Sequence, residues 1–346
     1  MKKIIYVHPK LVSFVKNDIE LLKKYYLIRI FSFSPARKIF TPLHFISQFF
    51  FLIFNIFGSS IIICQFGGYH SFLPVIFSKI FRIPVLVVLG GTDCASFPSI
   101  GFGNFNRILQ GWFTYKSLKY ATHLCPVHES LVMCNYTYTD DDFPKQGYKY
   151  FYPGIITPHT TIYYGYDSKL FFRNIEKSPD SFITVAKLNK PNFYRKGIDM
   201  IFEMAKRFPD CKFTIVGNTK TMRYDYVPEN VTLSSFIPYE ELKTVYSKHE
   251  FYFQLSIHEG FPSAPCEAML CECIPIVSDV AALHEIAGDC GFILKKKDPD
   301  LLEEIIRTAL NSDKKYLGEK ARRRIIEKFP PGEREKFIEL ISTLII

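Results

Sequence analysis

The chain has 346 residues, 48% of them hydrophobic and 22% charged, a balance that excludes a disordered or collagen-like polymer and gives length for two domains of ordinary size. Its net charge of +9 rests wholly on residues 1–170, which hold 17 Lys+Arg against 8 Asp+Glu, while residues 171–346 hold 26 of each. Nine cysteines without regular spacing exclude a disulfide framework and point to a reducing compartment, and Cys271 and Cys273 stand too close together to form a metal knuckle, so no metal is expected.

"MKKIIYVHP" has an apolar part of only a few residues and no small-residue cleavage site after it, so it reads as a buried first strand. A helix at 18–26 and a strand at 27–33 follow. "FISQFFFLIFNIF" (45–57) is almost wholly apolar but shorter than the ~20 residues a membrane span needs. A buried helix and a helix lying in a membrane interface both fit it. The same half holds 20 of the 34 Phe. Basic and Phe-rich together describe a surface that meets anionic lipid, or a Phe-filled core made soluble by Lys; the composition admits both.

Next come a strand at 60–66, a helix at 71–82, a strand at 84–90 ending in Gly91-Thr92-Asp93, a helix near 105–120 and a strand at 122–127. The stretch 140–161 is rich in Pro and Gly and reads as loop around one short strand. The pattern then restarts: strands at 181–188, 212–218, 231–237, 250–257 and 274–278 alternate with helices at 197–209, 238–249 and 265–271. Helices at 299–311, 313–328 and 333–345 close the chain. Near-continuous apolar strands separated by helices mean parallel sheets covered on both faces. The predicted fold class is α/β, with two Rossmann-like doubly wound domains. An N-terminal domain spans 1–170, a second spans 171–330, and a final helix, 331–346, crosses back to the first. Neither half carries G-x-G-x-x-G after its first strand or a phosphate-binding P-loop, which argues against a dehydrogenase or P-loop enzyme.

The chemistry concentrates in "HEGFPSAPCE" (258–267). Glu259 follows a strand and Glu267 lies in the first turns of a helix predicted to begin near Pro265. A strand-loop-helix path lets both carboxylates face one crevice, with Gly260, Phe261 and Ser263 offering backbone donors and Pro262 offering none. Carboxylates accept, so paired sugar or ribose hydroxyls are natural partners; a loop cap and a structural ion pair are the plainer alternative. Lys187 at a strand end, and Arg195 and Lys196 before a helix start, are placed to clamp a diphosphate or, equally, to be solvated surface charges.

"VAKLNKPNFYRKGIDMIFEMAKRFPDCKFTIVGN", the run from "NVTLSSFIPYEELKTVY" to "AALHEIAGDCGFIL", and "YYGYDSKLF" together resemble the sugar-nucleotide half of family 4 glycosyltransferases of the GT-B fold, over about residues 163–310. The resemblance implies an acceptor-binding domain, 1–170, and a nucleotide-sugar-binding domain, 171–330, facing across a cleft, and transfer with retention at the anomeric carbon. It places Glu259 on the donor sugar, Glu267 on the ribose, Lys187 and Lys196 at the diphosphate, and Gly217, Asn218, Phe236 and Ile237 around the base and its ribose. Tyr164 stands where the linker motif usually has Asn, Glu272 where the family usually has Gly, and "DVAAL" (279–283) lacks the usual Gly pair. The first half matches in outline only: it lacks the family's His-Gly, so Asp93 and His128 are the candidates there for a catalytic group, with Glu259 opposite.

The expectation is therefore a metal-independent glycosyltransferase without a cofactor, using a nucleotide-diphosphate sugar as donor and a glycan or lipid-linked acceptor in cell-surface polysaccharide synthesis. It is expected in the cytoplasm, peripheral on the inner face of the membrane, with no nucleic-acid partner. A GT-B epimerase acting on a nucleotide sugar and a non-catalytic sugar-nucleotide-binding protein are the alternatives.

Overall fold

The structure, a computed structural model, describes residues 1–34, 38–219 and 222–345. In chain order the elements are β1 (Lys3–His8), α1 (Ser13–Lys23), β2 (Leu27–Ser32), α2 (Thr41–Ile56), β3 (Ser59–Gln65), α3 (Tyr69–Phe81), β4 (Val85–Leu89), α4 (Ile108–Tyr120), β5 (His123–Pro126), β6 (Cys134–Asn135), β7 (Lys145–Gln146) and α5 (Tyr148–Phe151). There follow β8 (Ser178–Val185), α6 (Lys190–Arg195), α7 (Ile198–Arg207), β9 (Lys212–Val216), β10 (Val231–Ser234), α8 (Tyr239–Ser247), β11 (His249–Gln254), α9 (Ser263–Leu270), β12 (Ile274–Ser278), α10 (Leu283–Ala287), β13 (Phe292–Leu294), α11 (Pro299–Leu310), α12 (Lys314–Lys328) and α13 (Lys336–Leu344). The chain divides into two units. One holds Met1–Asn135, Lys145–Tyr164 and Glu333–Ile346; the other holds Tyr136–Pro144 and Gly165–Gly332. The boundary expected at 170 thus falls at Tyr164/Gly165, and the nine residues Tyr136–Pro144 count with the second unit.

The first unit is built on a parallel sheet in the order β2–β1–β3–β4–β5. Its inner strands are buried along almost their whole length, which is why they read as continuous apolar runs. Helix α2 is different: of its sixteen residues only Gln48, Leu52 and Ile56 are buried. Leu43, Ile46, Phe50, Phe54 and, just past its end, Phe57 are exposed and recur at helical spacing on one outer stripe. Pro74 sits inside α3 and cannot donate to the carbonyl of His70, four residues back. That carbonyl instead accepts from Gln48 Nε2 at 2.7 Å, which ties α2 to α3. Residues after 332 are held by Arg334, whose guanidinium is buried. It donates to both oxygens of Asp18 at 2.7 and 2.6 Å and lies over the Tyr164 ring. Among the described residues no helix is long and apolar enough to cross a membrane.

The second unit has a six-stranded parallel sheet, β10–β9–β8–β11–β12–β13. Phe182 of the central β8 stacks between Phe213, Phe251 and Phe253 at 4.8–5.1 Å, an aromatic row that fixes the sheet's middle. Helix α10, helix α6 and the edge strand β13 were not expected; each is six residues or fewer, too short to show a period. The stretch 140–161 holds one short strand, β7, which pairs antiparallel with β6 before it.

Candidate functional site

In the second unit the strand order reverses between β8 and β11, the place where an open α/β sheet leaves a crevice at its carboxyl ends. The loop after β11 and the junction of α6 with α7 meet there. Gly197 begins α7 with φ +69°, and a Cβ on it would stand 2.3 Å from the carbonyl oxygen of Leu255. The bare backbone lets the junction lie on the loop, where Ile257 N–H donates to Arg195 O at 2.9 Å. Lys196 is thereby aimed at Glu259, Nζ to Oε1 2.5 Å, with both side chains less than a fifth exposed. The same oxygen accepts from Gln254 Nε2 at 2.9 Å, and Tyr252 O–H donates to Gln254 Oε1 at 3.0 Å.

Burial alone would raise the Glu259 carboxyl, but Lys196 and then Arg195 overrule it and hold it at about 2. Lys196 is itself pulled below the ordinary lysine value, because burial costs its ammonium more than Glu259 returns against the neighbouring Arg195. Glu259 sees two cations and Lys196 one anion, so the pair is ionised with a surplus of positive charge beside it.

Glu267 has the opposite environment. Helix α9 begins at Ser263, two residues before Pro265, so Glu267 stands in its second turn, 7% exposed. Tyr246 O–H donates to Oε2 at 3.4 Å. Burial pushes the carboxyl up to about 7, with Tyr246 pulling weakly the other way. Between the two acids Gly260 and Phe261 are buried, and the loop is pinned from the linker: Tyr166 stacks on Phe261, rings 6.3 Å apart and 14° from parallel, and its O–H donates to Ser263 Oγ at 3.3 Å. The first N–H groups of α9, at Ser263 and Ala264, start a helix whose third residue is a proline, and such a terminus attracts anions.

The remaining expected residues lie along the same edge. Lys187, two residues past β8, is exposed and forms no ion pair among the described residues; its carbonyl accepts from Asn192 Nδ2 at 2.7 Å. Gly217 and Asn218, after β9, both donate to Ser234 O, at 3.0 and 2.9 Å. Gly217 has φ +104°, and a Cβ there would meet Ala186 O at 2.4 Å. Phe236, two residues past β10, is 81% exposed, with Ile237 beside it half-buried. Arg195 is turned inward, bonded to Asn192 Oδ1 and to the carbonyl of His258. Sequence reasoning missed Gln254, Tyr166 and Tyr246. Tyr166 lies within the linker motif "YYGYD"; a Gln inside an apolar strand was the available sign for Gln254.

The two first-unit candidates are both engaged by their own chain. Asp93 is 1% exposed and its carboxylate is occupied: Gly67, Gly90 and Gly91 N–H donate to it at 2.9, 3.2 and 2.9 Å. It ties the loop after β3 to the loop after β4. His128 caps the short turn after β5: Ser130 N–H donates to its Nδ1 at 3.1 Å, Ser130 Oγ lies 2.8 Å away, and its ring stacks with Tyr163. Both residues carry structural tasks that a loop sequence does not announce. Among the described residues no three His, Cys, Asp or Glu gather as a metal site, and all nine cysteines are free.

Residues 168–328, just under half of the chain, match the family described as Glycosyl transferases group 1. Among curated proteins the chain is similar to a phosphatidylinositol N-acetylglucosaminyltransferase subunit of Arabidopsis thaliana. The two are 24% identical over 129 residues, 34% of this chain and 29% of that one. It is also similar to GDP-mannose:cellobiosyl-diphosphopolyprenol alpha-mannosyltransferase of Xanthomonas oryzae, 27% identical over 32% of each. The matched part spans about a third or less of these relatives' length. Whole-chain likeness appears in solved structures. Sucrose-phosphate synthase of Thermosynechococcus elongatus has a TM-score of 0.76 at 15% identity, covering 99% of both chains. Anabaena HepE in complex with UDP and glucose has a TM-score of 0.70 at 15% identity, covering 99% of this chain and all of that one. The fold is thus the one these solved structures share, with two Rossmann-like α/β units.

Proposed function

We propose that the protein is a family 4 type, retaining glycosyltransferase that moves a sugar from a nucleotide-diphosphate sugar to a glycan or lipid-linked acceptor in cell-surface polysaccharide synthesis. The observation that carries this reading is the largely covered Lys196–Glu259 pair at the crevice of the second sheet, flanked by Arg195 and the start of α9. Its support from relatives is the match over 168–328 and the UDP and glucose bound by the Anabaena protein. In this reading Glu259 holds donor-sugar hydroxyls, and Glu267 offers the lone pairs that Tyr246 leaves to the ribose. Lys187 and Lys196 take up the charge that develops on the leaving diphosphate, which lets the reaction proceed without a divalent ion. Gly217, Asn218, Phe236 and Ile237 line the place for the base.

The outer stripe of α2, with exposed Lys79 and Arg82 at and just past the end of α3, seats the first unit on an anionic membrane surface on the cytoplasmic side. The names of two relatives, one acting on phosphatidylinositol and one on a diphosphopolyprenol-linked sugar, agree with a lipid-anchored acceptor. The test is titration of the chain with UDP-glucose and GDP-mannose, followed by NMR of the glycosidic product formed with a lipid-linked acceptor extract. Saturable binding that weakens at least tenfold in Lys187→Ala, with retained anomeric configuration, supports the reading. Unchanged binding in that variant, or an epimerised sugar released without acceptor, overturns it.

A further inference from the structure

The first unit contains an apolar cavity of about 1040 Å³. It lies where the order of the first sheet reverses, with Pro9 after β1 and Gly67 and Gly68 after β3 in its floor. Phe33, Phe45, Phe66, Tyr69 and Phe113 supply its walls. Its buried polar side chains, Asp93, Asn104 and His70, are taken up by the protein. Asp93 is saturated by three N–H groups. Asn104 donates to Gly67 O and Thr114 Oγ1 and accepts from Gln110. His70, driven to about 4 by burial and therefore neutral, is bonded through Nε2 to Gln65 O. A sugar would find few free partners on such walls; a hydrocarbon needs none.

The rim differs from the walls. Ile46 and Leu109 line the cavity and are 55% and 61% exposed, and Ile46 belongs to the same outer stripe of α2 as Leu43 and Phe50. Apolar surface therefore runs from the outer face of α2 into the cavity. Arg107, exposed, is the cation among the lining residues. We propose that this cavity takes the single hydrocarbon chain of an amphiphilic acceptor, drawn from the bilayer past α2, with its phosphate at Arg107. One cation at the rim matches one phosphate, and a wall of aromatic rings matches one flexible chain. The inference rests on the reading that the first unit receives the acceptor, and it names that acceptor's chemistry.

The chain carries its own reporter. Trp112, the single tryptophan, packs edge-on against the cavity wall residue Phe113 at 5.0 Å and against Phe72. Titration of the full chain with farnesyl phosphate, kept below its aggregation limit, is expected to shift Trp112 emission saturably. Lysophosphatidic acid in a parallel arm separates an isoprenoid from an acyl source; binding of either supports the proposal and binding of neither overturns it. Leu109→Asp, at an exposed position that leaves folding intact, is expected to weaken binding at least tenfold, and Arg107→Ala to weaken farnesyl phosphate while leaving farnesol unchanged. The same titration curve for Leu109→Asp and the native chain overturns the proposal. UDP-glucose titrated alongside separates the two readings. Donor binding without amphiphile binding removes the cavity's role alone; amphiphile binding without donor binding leaves the cavity's role standing and removes the donor site.

Discussion

The two sheets have the same parallel architecture and the same kind of crevice, yet they furnish it with opposite chemistry. In the second unit the strand ends carry a largely covered ion pair, a second carboxylate raised towards neutrality and cations within reach. In the first unit the equivalent place holds aromatic rings around a cavity, and its one carboxylate is spent on three backbone N–H groups. A reversal of strand order makes a place for a ligand; the side chains that loops deliver decide whether that ligand is charged or greasy. The difference also matches the charge record, since the half with the large positive excess is the half whose crevice is apolar. Apart from Arg107 at its rim, no Lys or Arg of residues 1–170 lines that crevice among the described residues.

The sharpest way to break this contrast is to remove a charge from the second crevice. Lys196→Ala leaves Glu259 buried beside a single, indirect cation, and we expect a stability loss of about 3 kcal/mol by urea unfolding at pH 7. Lys196→Met combined with Glu259→Gln is expected to recover most of that stability while leaving nucleotide-sugar binding abolished. Glu259 has a folded value near 2, below the ordinary carboxylate value, so its contribution is present above pH ~4.5 and is lost as pH falls towards 2. The acid limb of native unfolding should therefore be absent from the double variant. Equal acid limbs would mean that Glu259 is not held by Lys196.

Glu267 gives the reverse pH signature. Its folded value near 7 lies above the unfolded one, so the stabilisation is present below pH ~4.5 and is lost as pH rises through about 7. Glu267→Gln is expected to flatten that loss and to be the more stable protein at pH 8, by up to about 3 kcal/mol. If the ribose reading holds, native affinity for UDP-glucose rises between pH 6 and pH 8 as the carboxylate forms, while the Gln variant binds weakly at every pH. Isothermal titration at the two pH values checks both statements.

Which parts of this contrast could be read in the sequence follows from how each part is made. Strands covered on both faces, such as β3, β4 and β12, write themselves as apolar runs and were placed within a residue or two. The loop carrying Glu259 and Glu267 was legible because its residue types and spacing recur with the Lys-bearing segment before it. Gln254, buried under Glu259, was not, since a glutamine's partners depend on the fold around it. The partners of Asp93 were not legible, because a carboxylate beside glycines reads the same whether it awaits a substrate or holds N–H groups of its own chain. The cavity was illegible for a further reason: its walls come from the ends of β2 and β3 and from α2, α3 and α4, and aromatic residues there read as core.

On the first unit the contrast is sharpened at the surface. Phe50→Asp and Phe54→Asp replace side chains that are already half or more exposed, so stability should change by no more than about 0.5 kcal/mol. Sedimentation with vesicles containing phosphatidylserine is expected to lose at least tenfold in binding for the double variant, about 1.4 kcal/mol. The same vesicles without anionic lipid should bind the native chain less, because Lys79 and Arg82 then have no counter-charge. Native-like vesicle binding by the double variant would place the lipid-facing surface elsewhere and leave α2 as a poorly covered helix.

The smallest effect tests what backbone strain is for in each unit. Glu272 ends α9 in the left-handed region, φ +61°, where its N–H donates to Met269 O and the next N–H, of Cys273, donates to Ala268 O. This is a helix stop that glycine normally fills, which gives the departure from the family pattern at this position a conformational meaning. Glu272→Gly is expected to gain about 0.5 kcal/mol: relief of ~1–2 kcal/mol of left-handed strain, less the backbone entropy of glycine. The ion pair lost with half-exposed Arg173 offsets little. Nucleotide-sugar binding should not move. Phe66 in the first unit has the same strained φ, +69°, but its ring is a cavity wall, and a Cβ on Gly90 would lie 2.0 Å from it. Phe66→Gly relieves the same strain and removes the wall, so it is expected to lose farnesyl phosphate binding while Glu272→Gly keeps it. Calorimetry of both variants beside the Trp112 titration decides whether the strain at Phe66 serves a ligand, as strain at a functional site does, or is as dispensable as that at Glu272.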